Sequence, residues 1–193
     1  MQSDSSVVKP RTRTQQARWD DIIEATIQVL DSDGYAAASV DRIAQAAHTS
    51  KATVLYHFTT KEAIYDEVVR SLYERGEATM RQPMDAAISG TQFLTAYLDA
   101  NLRFIATNTA HVNAVHQILG ARFSEYDLPD GIAALAKKLA AGQADGSLAD
   151  FDPTVMAFAI RAVINSFSFH VGQVDLHYAI AQITGLFIKA TTN

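Results

Sequence analysis

The sequence predicts an all-α protein: a small N-terminal domain carrying a helix-turn-helix, then a larger helical domain, about nine helices in all. Three observations predict it. Apolar residues recur at i, i+3, i+4 and i+7 in segment after segment from Trp19 onward. No stretch shows the period-2 alternation of a half-buried strand. The segment Ser39–Ile64, SVDRIAQAAHTSKATVLYHFTTKEAI, reads as helix, tight turn and short helix, with a further helix starting behind it.

The elements follow in order. Residues 1–13 are polar, carry Pro10 and show no periodicity, which predicts a disordered tail. Trp19, Ile22, Ile23, Thr26, Ile27 and Leu30 define one amphipathic helix over about Thr14–Ser32, closed by Gly34, with Tyr35 folding back onto it. Ser39 stands where an N-cap belongs, and Val40, Ile43, Ala44 and Ala47 share one face of the next helix. The chain turns at His48-Thr49, Ser50 caps a short helix through Tyr56, and Thr60 caps a long one that ends or kinks near Pro83. This puts a helix-turn-helix domain at 14–60 and a second domain at 61–193.

Beyond Ser89-Gly90 the pattern stays helical. Helices are expected at about 91–107, 110–123, 132–144, 153–171 and 175–190, with a turn cluster at Asp127–Gly131 and another at Asp145-Gly146. Asp152-Pro153 opens the penultimate helix, with proline in the first turn where its missing N–H costs nothing. That helix is apolar nearly all round (Val155, Met156, Phe158, Ile160, Val163, Ile164, Phe167), and the last carries Leu176, Ile180, Ile183, Leu186 and Phe187. Helices with more than one apolar face need covering on more than one face, which predicts a two-fold dimer built from a four-helix bundle.

Composition narrows the functional classes. The chain has 193 residues, 48% hydrophobic and 19% charged, as an ordinary protein with a substantial core does. No apolar run approaches the roughly 20 residues that span a bilayer, which points to the cytoplasm. With no cysteine there is no disulfide framework, thiol nucleophile or cysteine-based zinc site. His111 and His116 are five apart, off one helix face, so no metal is expected. No Gly-rich phosphate loop, nucleophile elbow or His-Glu metal motif is present, which argues against an enzyme and against a bound cofactor. The net charge of −5 is no footprint of a nucleic-acid binder. The basic residues are placed better than the total suggests: Arg11, Arg13 and Arg18 lie before or early in the first helix, and Lys51 and Lys61 bracket the short second helix of the motif.

The string Ile22-Ile23-Glu24-Ala25, Gly34-Tyr35, Ser39-Val40, Ile43-Ala44, Ala47, Ser50 through Phe58 and Lys61-Glu62 resembles the tetracycline-repressor-like (TetR) family of transcriptional regulators. The resemblance covers about Ile22–Ile64. The rest is similar in architecture alone, through six further helices, the turn Gly142–Ser147 and the Asp-Pro opening. His48 departs from it where glycine is usual, and Leu55 where tyrosine is usual. The resemblance implies a ligand-responsive repressor that binds a palindromic operator in double-stranded DNA as a homodimer through about 153–171 and 175–190. It implies that Lys51, Ala52 and Thr53 face base edges, that Ser39, Ser50, Tyr56, His57 and Lys61 engage the DNA backbone, and that Arg11 and Arg13 reach the minor groove or neighbouring phosphates. It places a small, largely apolar effector among the helices of about 91–144, near Phe93, Tyr97, Phe104, Leu119, Phe123 and Leu135, oriented by Asn101, His111, His116, Arg122, Tyr126 or Asn165. Two other classes remain: a helical adaptor of the same architecture that no longer binds DNA, and a small all-α enzyme.

Overall fold

A computed structural model describes residues 11–122 and 131–192. Among these residues there are nine α-helices and no β-strand: α1 Arg13–Asp33, α2 Val40–Ala46, α3 Lys51–His57, α4 Lys61–Asp85, α5 Gly90–Thr107, α6 Thr109–Arg122, α7 Gly131–Ala144, α8 Pro153–Phe167 and α9 Leu176–Thr191. A 3-10 turn, Ser168–His170, follows α8. No described helix is long and apolar enough to cross a membrane. The expected tail lies outside the described residues except for Arg11 to Arg13, as does the turn cluster up to Asp130.

The chain divides into two compact units, the first ending at Val68 and the second beginning at Val69. The division falls eight residues beyond the one read from the sequence because the start of α4 belongs to the first core. Ile64, Tyr65 and Val68 are buried there with Ile22, Ile27 and Leu30 of α1, Ile43 of α2, Val54 of α3 and Phe58. The Tyr65 hydroxyl donates to the Ala38 carbonyl at 3.0 Å. Tyr35 packs against the Tyr65 ring, with centroids 5.4 Å apart, so it folds onto α4 rather than only back onto α1.

Local side chains set the helix ends. Thr12 and Gln15 form a capping box at the start of α1, each reaching the other's backbone N–H. The pair is visible in the sequence as Thr-x-x-Gln. Ser39 accepts from the Arg42 N–H, Ser50 from Thr53 and Thr60 from Ala63, so all three expected N-caps are in place. Gly34 ends α1 at φ 83°, its N–H bonded to the Leu30 carbonyl. His48 takes φ 49° in the turn between α2 and α3, the left-handed conformation that glycine adopts at little cost.

In the second unit α5 packs against α6, α7, α8 and α9, and α7 against α8. Leu94, Leu98, Leu102 and Ile105 of α5 form the centre of this core with Ile118, Leu139, Ile160 and Ile164. α5 and α7 meet at two glycines. A Cβ on Gly90 would lie 2.5 Å from the Gly142 Cα, so neither position admits a side chain. Ser147 locks the crossing: its Oγ accepts from the Gly90 N–H at 2.7 Å, and its carbonyl accepts from the Thr91 hydroxyl at 2.6 Å.

Two helix ends differ from expectation. α4 runs through Pro83 to Asp85, because a proline so near the C-terminus removes only one of the last bonds. α8 ends at Phe167 rather than 171, where the chain tightens into the 3-10 turn and reverses at Gly172, φ 84°.

The strain at His48 is measurable. His48→Gly is expected to stabilise the first unit by about 0.5–1 kcal/mol, the relief of a left-handed non-glycine offset by glycine's larger loss of chain entropy. His48→Val should destabilise it. Urea unfolding followed at the single tryptophan, Trp19, reads this unit alone; equal midpoints for all three proteins would show that no strain resides there.

Candidate functional site

α3 is held to the first unit by one side. Val54 is fully buried, and Phe58, which follows the helix, stacks on Trp19 of α1 with ring centroids 3.8 Å apart. The opposite face is open. Lys51, Ala52 and Tyr56 are exposed, Tyr56 at 73%, while Thr53 and His57 are half-buried beside them. Helical spacing explains the division, since with Val54 turned inward its neighbours on either side turn outward.

The predicted residues fall into three groups around that face. At the start of α3, Ser50 caps the helix and bonds to the Thr53 hydroxyl at 2.8 Å. Lys51 reaches back to Asp41 on α2, Nζ to Oδ2 2.8 Å. Ser39, two residues before Asp41, is exposed and its hydroxyl caps α2.

At the end of α3, Tyr56 and His57 meet the first turns of α1. Gln15 donates weakly to the Tyr56 hydroxyl at 3.5 Å. The Arg11 guanidinium lies 3.4 Å from the centre of the Trp19 ring, a cation–π contact that carries the arm across α1. Burial, then the charges of Arg11 and Arg18, push the His57 imidazole below its ordinary range, so it is neutral near pH 7. The sequence placed Arg18 with Arg11 and Arg13 as well-sited positive charge without assigning it a contact, and Gln15 was not a candidate. Their signal is the 3-4 spacing with Arg11 on one face of the α1 terminus. Arg13 is exposed on the next turn. The third group is Lys61, at the start of α4, whose ammonium sits 5.4 Å from the Tyr35 ring centre and 5.3 Å from that of Tyr65.

A surface with exposed lysine and tyrosine and a half-buried threonine on one short helix, flanked by two separate cationic groups, suits a polyanion with readable edges. Phosphate approaching Arg11, Arg18 and His57 would reverse the local field and draw a proton onto the imidazole.

The second unit scatters the residues proposed to line an effector pocket. Phe93 and Tyr97 stack at 5.8 Å on α5, the Lys138 ammonium lies 5.6 Å from the Phe93 ring, and Arg161 of α8 donates to the Tyr97 hydroxyl at 3.2 Å. Asn101 is buried but spends its amide on the Tyr97 carbonyl. Phe104 is buried on the side facing Gly76 of α4. His111 is buried on α6, Leu119 and Arg122 are half-buried there, and Leu135 is buried on α7. His116 stacks on Phe169 at 5.2 Å, and burial lowers its pKa. Asn165 is exposed, its carbonyl accepting from the Ser168 hydroxyl. Phe123 and Tyr126 lie outside the described residues. A cleft of about 700 Å³ opens between α5 and α9, lined by Thr91, Thr95, Ala96, Asp99, Ile180 and Thr184 among others. It contains none of the candidates. Among the described residues no cluster of three His, Cys, Asp or Glu could hold a metal.

Comparisons with known proteins agree on the kind of molecule this resembles. Residues 22–68 match the family described as bacterial regulatory proteins, tetR family. The HTH-type transcriptional regulator BetI 1 of Chromohalobacter salexigens is 28% identical over 93 residues, 48% of this chain and 46% of that one. The A-factor receptor protein of Streptomyces griseus is 26% identical over 171 residues, covering 86% and 60%. The chain thus spans about half the length of these curated relatives. The structure of AibR in complex with isovaleryl coenzyme A and operator DNA superposes with a TM-score of 0.75 at 16% identity, over 88% of this chain and 97% of that one.

The His57 environment sets its titration. A folded-state pKa below the unfolded value means that the unfolded chain binds the proton more readily. This group's contribution to stability therefore falls as pH drops through about 6.5. NMR of the imidazole should give a midpoint below 6.5 in the free protein, and Arg18→Gln should move it upward. A wild-type midpoint at or above 6.5 would contradict the geometry.

Proposed function

We propose, from the match of residues 22–68 to the bacterial regulatory proteins of the tetR family, that the chain is a member of that family and a ligand-responsive transcriptional repressor. It binds a palindromic operator as a homodimer and is released by a small, largely apolar effector. The observation that carries the reading is the open face of α3, with Lys51, Ala52 and Tyr56 exposed, Thr53 half-buried beside them and Val54 buried. Lys51 donates to guanine O6 or N7, Ala52 meets a thymine methyl, and Thr53 completes the base contacts. Tyr56, His57, Lys61 and the arginines of the α1 terminus hold phosphates and fix register. Tyr56 supplies the phenol that Leu55, at the neighbouring position, lacks. Working in the cytoplasm, such a regulator needs no catalytic group.

Exposed apolar side chains on the last two helices support the dimer. Val155 and Phe158 of α8 are 65% and 63% exposed, and Tyr178 and Leu186 of α9 are 59% and 60% exposed. Large apolar groups left in water on the last two helices are what a second copy would cover. The effector acts through the second unit, with α4 as the covalent link, because its first two turns belong to the first core and its remainder to the second. A ligand that favours the DNA-incompetent spacing of the two α3 helices weakens DNA binding, and DNA weakens the ligand by the same factor, typically 1–3 kcal/mol.

Selection from a random duplex library tests the reading: a palindrome with half-sites one helical turn or a small multiple apart, bound more weakly as salt rises, is the expected result. The variant Phe158→Asp/Leu186→Asp should run as a monomer in light scattering and lose the palindrome. Enrichment of nothing by a folded dimer would favour the adaptor.

The split between readout and positioning has its own signature. Lys61→Ala should weaken binding by a similar factor on every duplex, whereas Thr53→Ala should also relax preference at one position per half-site, by about 1–3 kcal/mol. Equal losses for both on all sequences would show the assignment to be wrong.

A further inference from the structure

The ammonium of Lys51 is occupied in the free protein. It lies 2.8 Å from Asp41 Oδ2, across the turn between α2 and α3, and both side chains face water, 54% and 69% exposed. Exposed ion pairs of this kind are weak enough to be exchanged for another partner. Asp41 has a simpler use in the first turn of α2, where a carboxylate favours the helix terminus. That use does not require it to hold the lysine that leads α3.

We infer that Asp41 is a specificity-determining residue, which together with Lys51 reads one G·C base pair in each half-site. The inference rests on the DNA-binding reading above. Two physical effects carry it. First, a lysine neutralised by its own carboxylate has no net charge to give a phosphate, and phosphate contacts supply essentially all of non-specific binding. The pair therefore adds nothing to binding on arbitrary DNA. Second, the major-groove edge of a G·C pair presents acceptors on guanine, O6 and N7, beside a donor on cytosine, N4. A linked ammonium and carboxylate present the complementary order, donor beside acceptor. At an A·T pair the adenine N6 amino donor stands where guanine offers O6, so the ammonium keeps N7 alone, and the carboxylate placed for cytosine N4 meets the thymine O4 acceptor instead. Asp41 thus withholds Lys51 from wrong sites and repels the wrong base at the right one.

The test uses the full chain on the selected operator and on an unrelated duplex of equal length, with Asp41→Asn, Lys51→Gln and the double variant. Circular dichroism and light scattering confirm that each is folded. Asp41→Asn should tighten binding to the unrelated duplex about threefold to tenfold, steepen the salt dependence by about one counterion, and lower the preference for G·C at one position per half-site. In the Lys51→Gln background the same substitution should leave the salt slope nearly unchanged and alter no base preference. Tighter binding of equal size with and without Lys51 would make Asp41 a general repulsive charge and overturn the inference. So would an Asp41→Asn protein with wild-type base preference and salt slope. Failure of the wild-type chain to bind any duplex would overturn the DNA reading itself, and this inference with it.

Discussion

The orientation of α3 depends on the packing of Val54 and Phe58 into the first unit, with Phe58 stacked on Trp19. A seven-residue helix is far too short to persist alone in water, because fixing its first turn costs more than its few hydrogen bonds return. It exists because Ser50 supplies one end with a cap and the core holds the other. The same indole that receives Phe58 also carries the Arg11 guanidinium on its ring and donates Nε1–H to Glu67 of α4 at 3.2 Å. One aromatic side chain therefore contacts the residue that ends α3, the Arg11 side chain before α1 and the second turn of the long helix. Truncating Trp19 would disturb all three together, so its loss could not be read as the loss of one contact.

Most of the first unit was legible because its signals are local. Ser39, Ser50 and Thr60 cap helices within three residues of themselves, and Gly34 ends one in the conformation that only glycine takes freely. The resemblance adds residue roles only as far as about Ile64, which is also about as far as the matched family domain extends. What the sequence hid is non-local. Gln15 with Tyr56 and Lys51 with Asp41 are pairings across turns or between helices. They follow from how α1, α2 and α3 pack, which periodicity does not specify. The end of α8 was missed for a different reason. Apolar residues continue through Phe169 and Val171, so hydrophobicity did not mark the point where the backbone tightens into the 3-10 turn.

The candidate effector region was the least legible part. Aromatic residues on α5 and α6 suit an apolar pocket, yet the same side chains serve the helix core. The structure uses Phe104 and Leu135 as buried packing and Asn101 as a satisfied backbone partner. A cleft opens where small side chains, Ala96 and Thr95 on α5 and Ala181 and Gly185 on α9, line the gap between two helices. Composition marks large side chains, whereas a cleft is made by the absence of them. That is why a list of aromatics locates a core more surely than a site.

Charge shows the same contrast between totals and places. A net −5 argues against a polyanion partner only if the acids compete with the bases for the same surface. They do compete here, but as partners: Asp41 holds Lys51, Asp33 holds Arg42 at 2.7 Å, and Asp21 holds Arg18 at 3.3 Å. Each exposed pair is worth about 0.2–1 kcal/mol, less than a good bidentate base contact at about 1–3 kcal/mol. A fixed acceptor in a groove can displace the carboxylate, while a diffuse phosphate field gains little from a cation already neutralised. On the proposed DNA-binding reading, an acid such as Asp41, paired with a cation of α3 from the neighbouring helix, would lower affinity for DNA in general more than affinity for one sequence. On the same reading, a chain that makes few contacts per half-site would recover its affinity by binding as a pair, which is the use that the exposed apolar residues of α8 and α9 would serve.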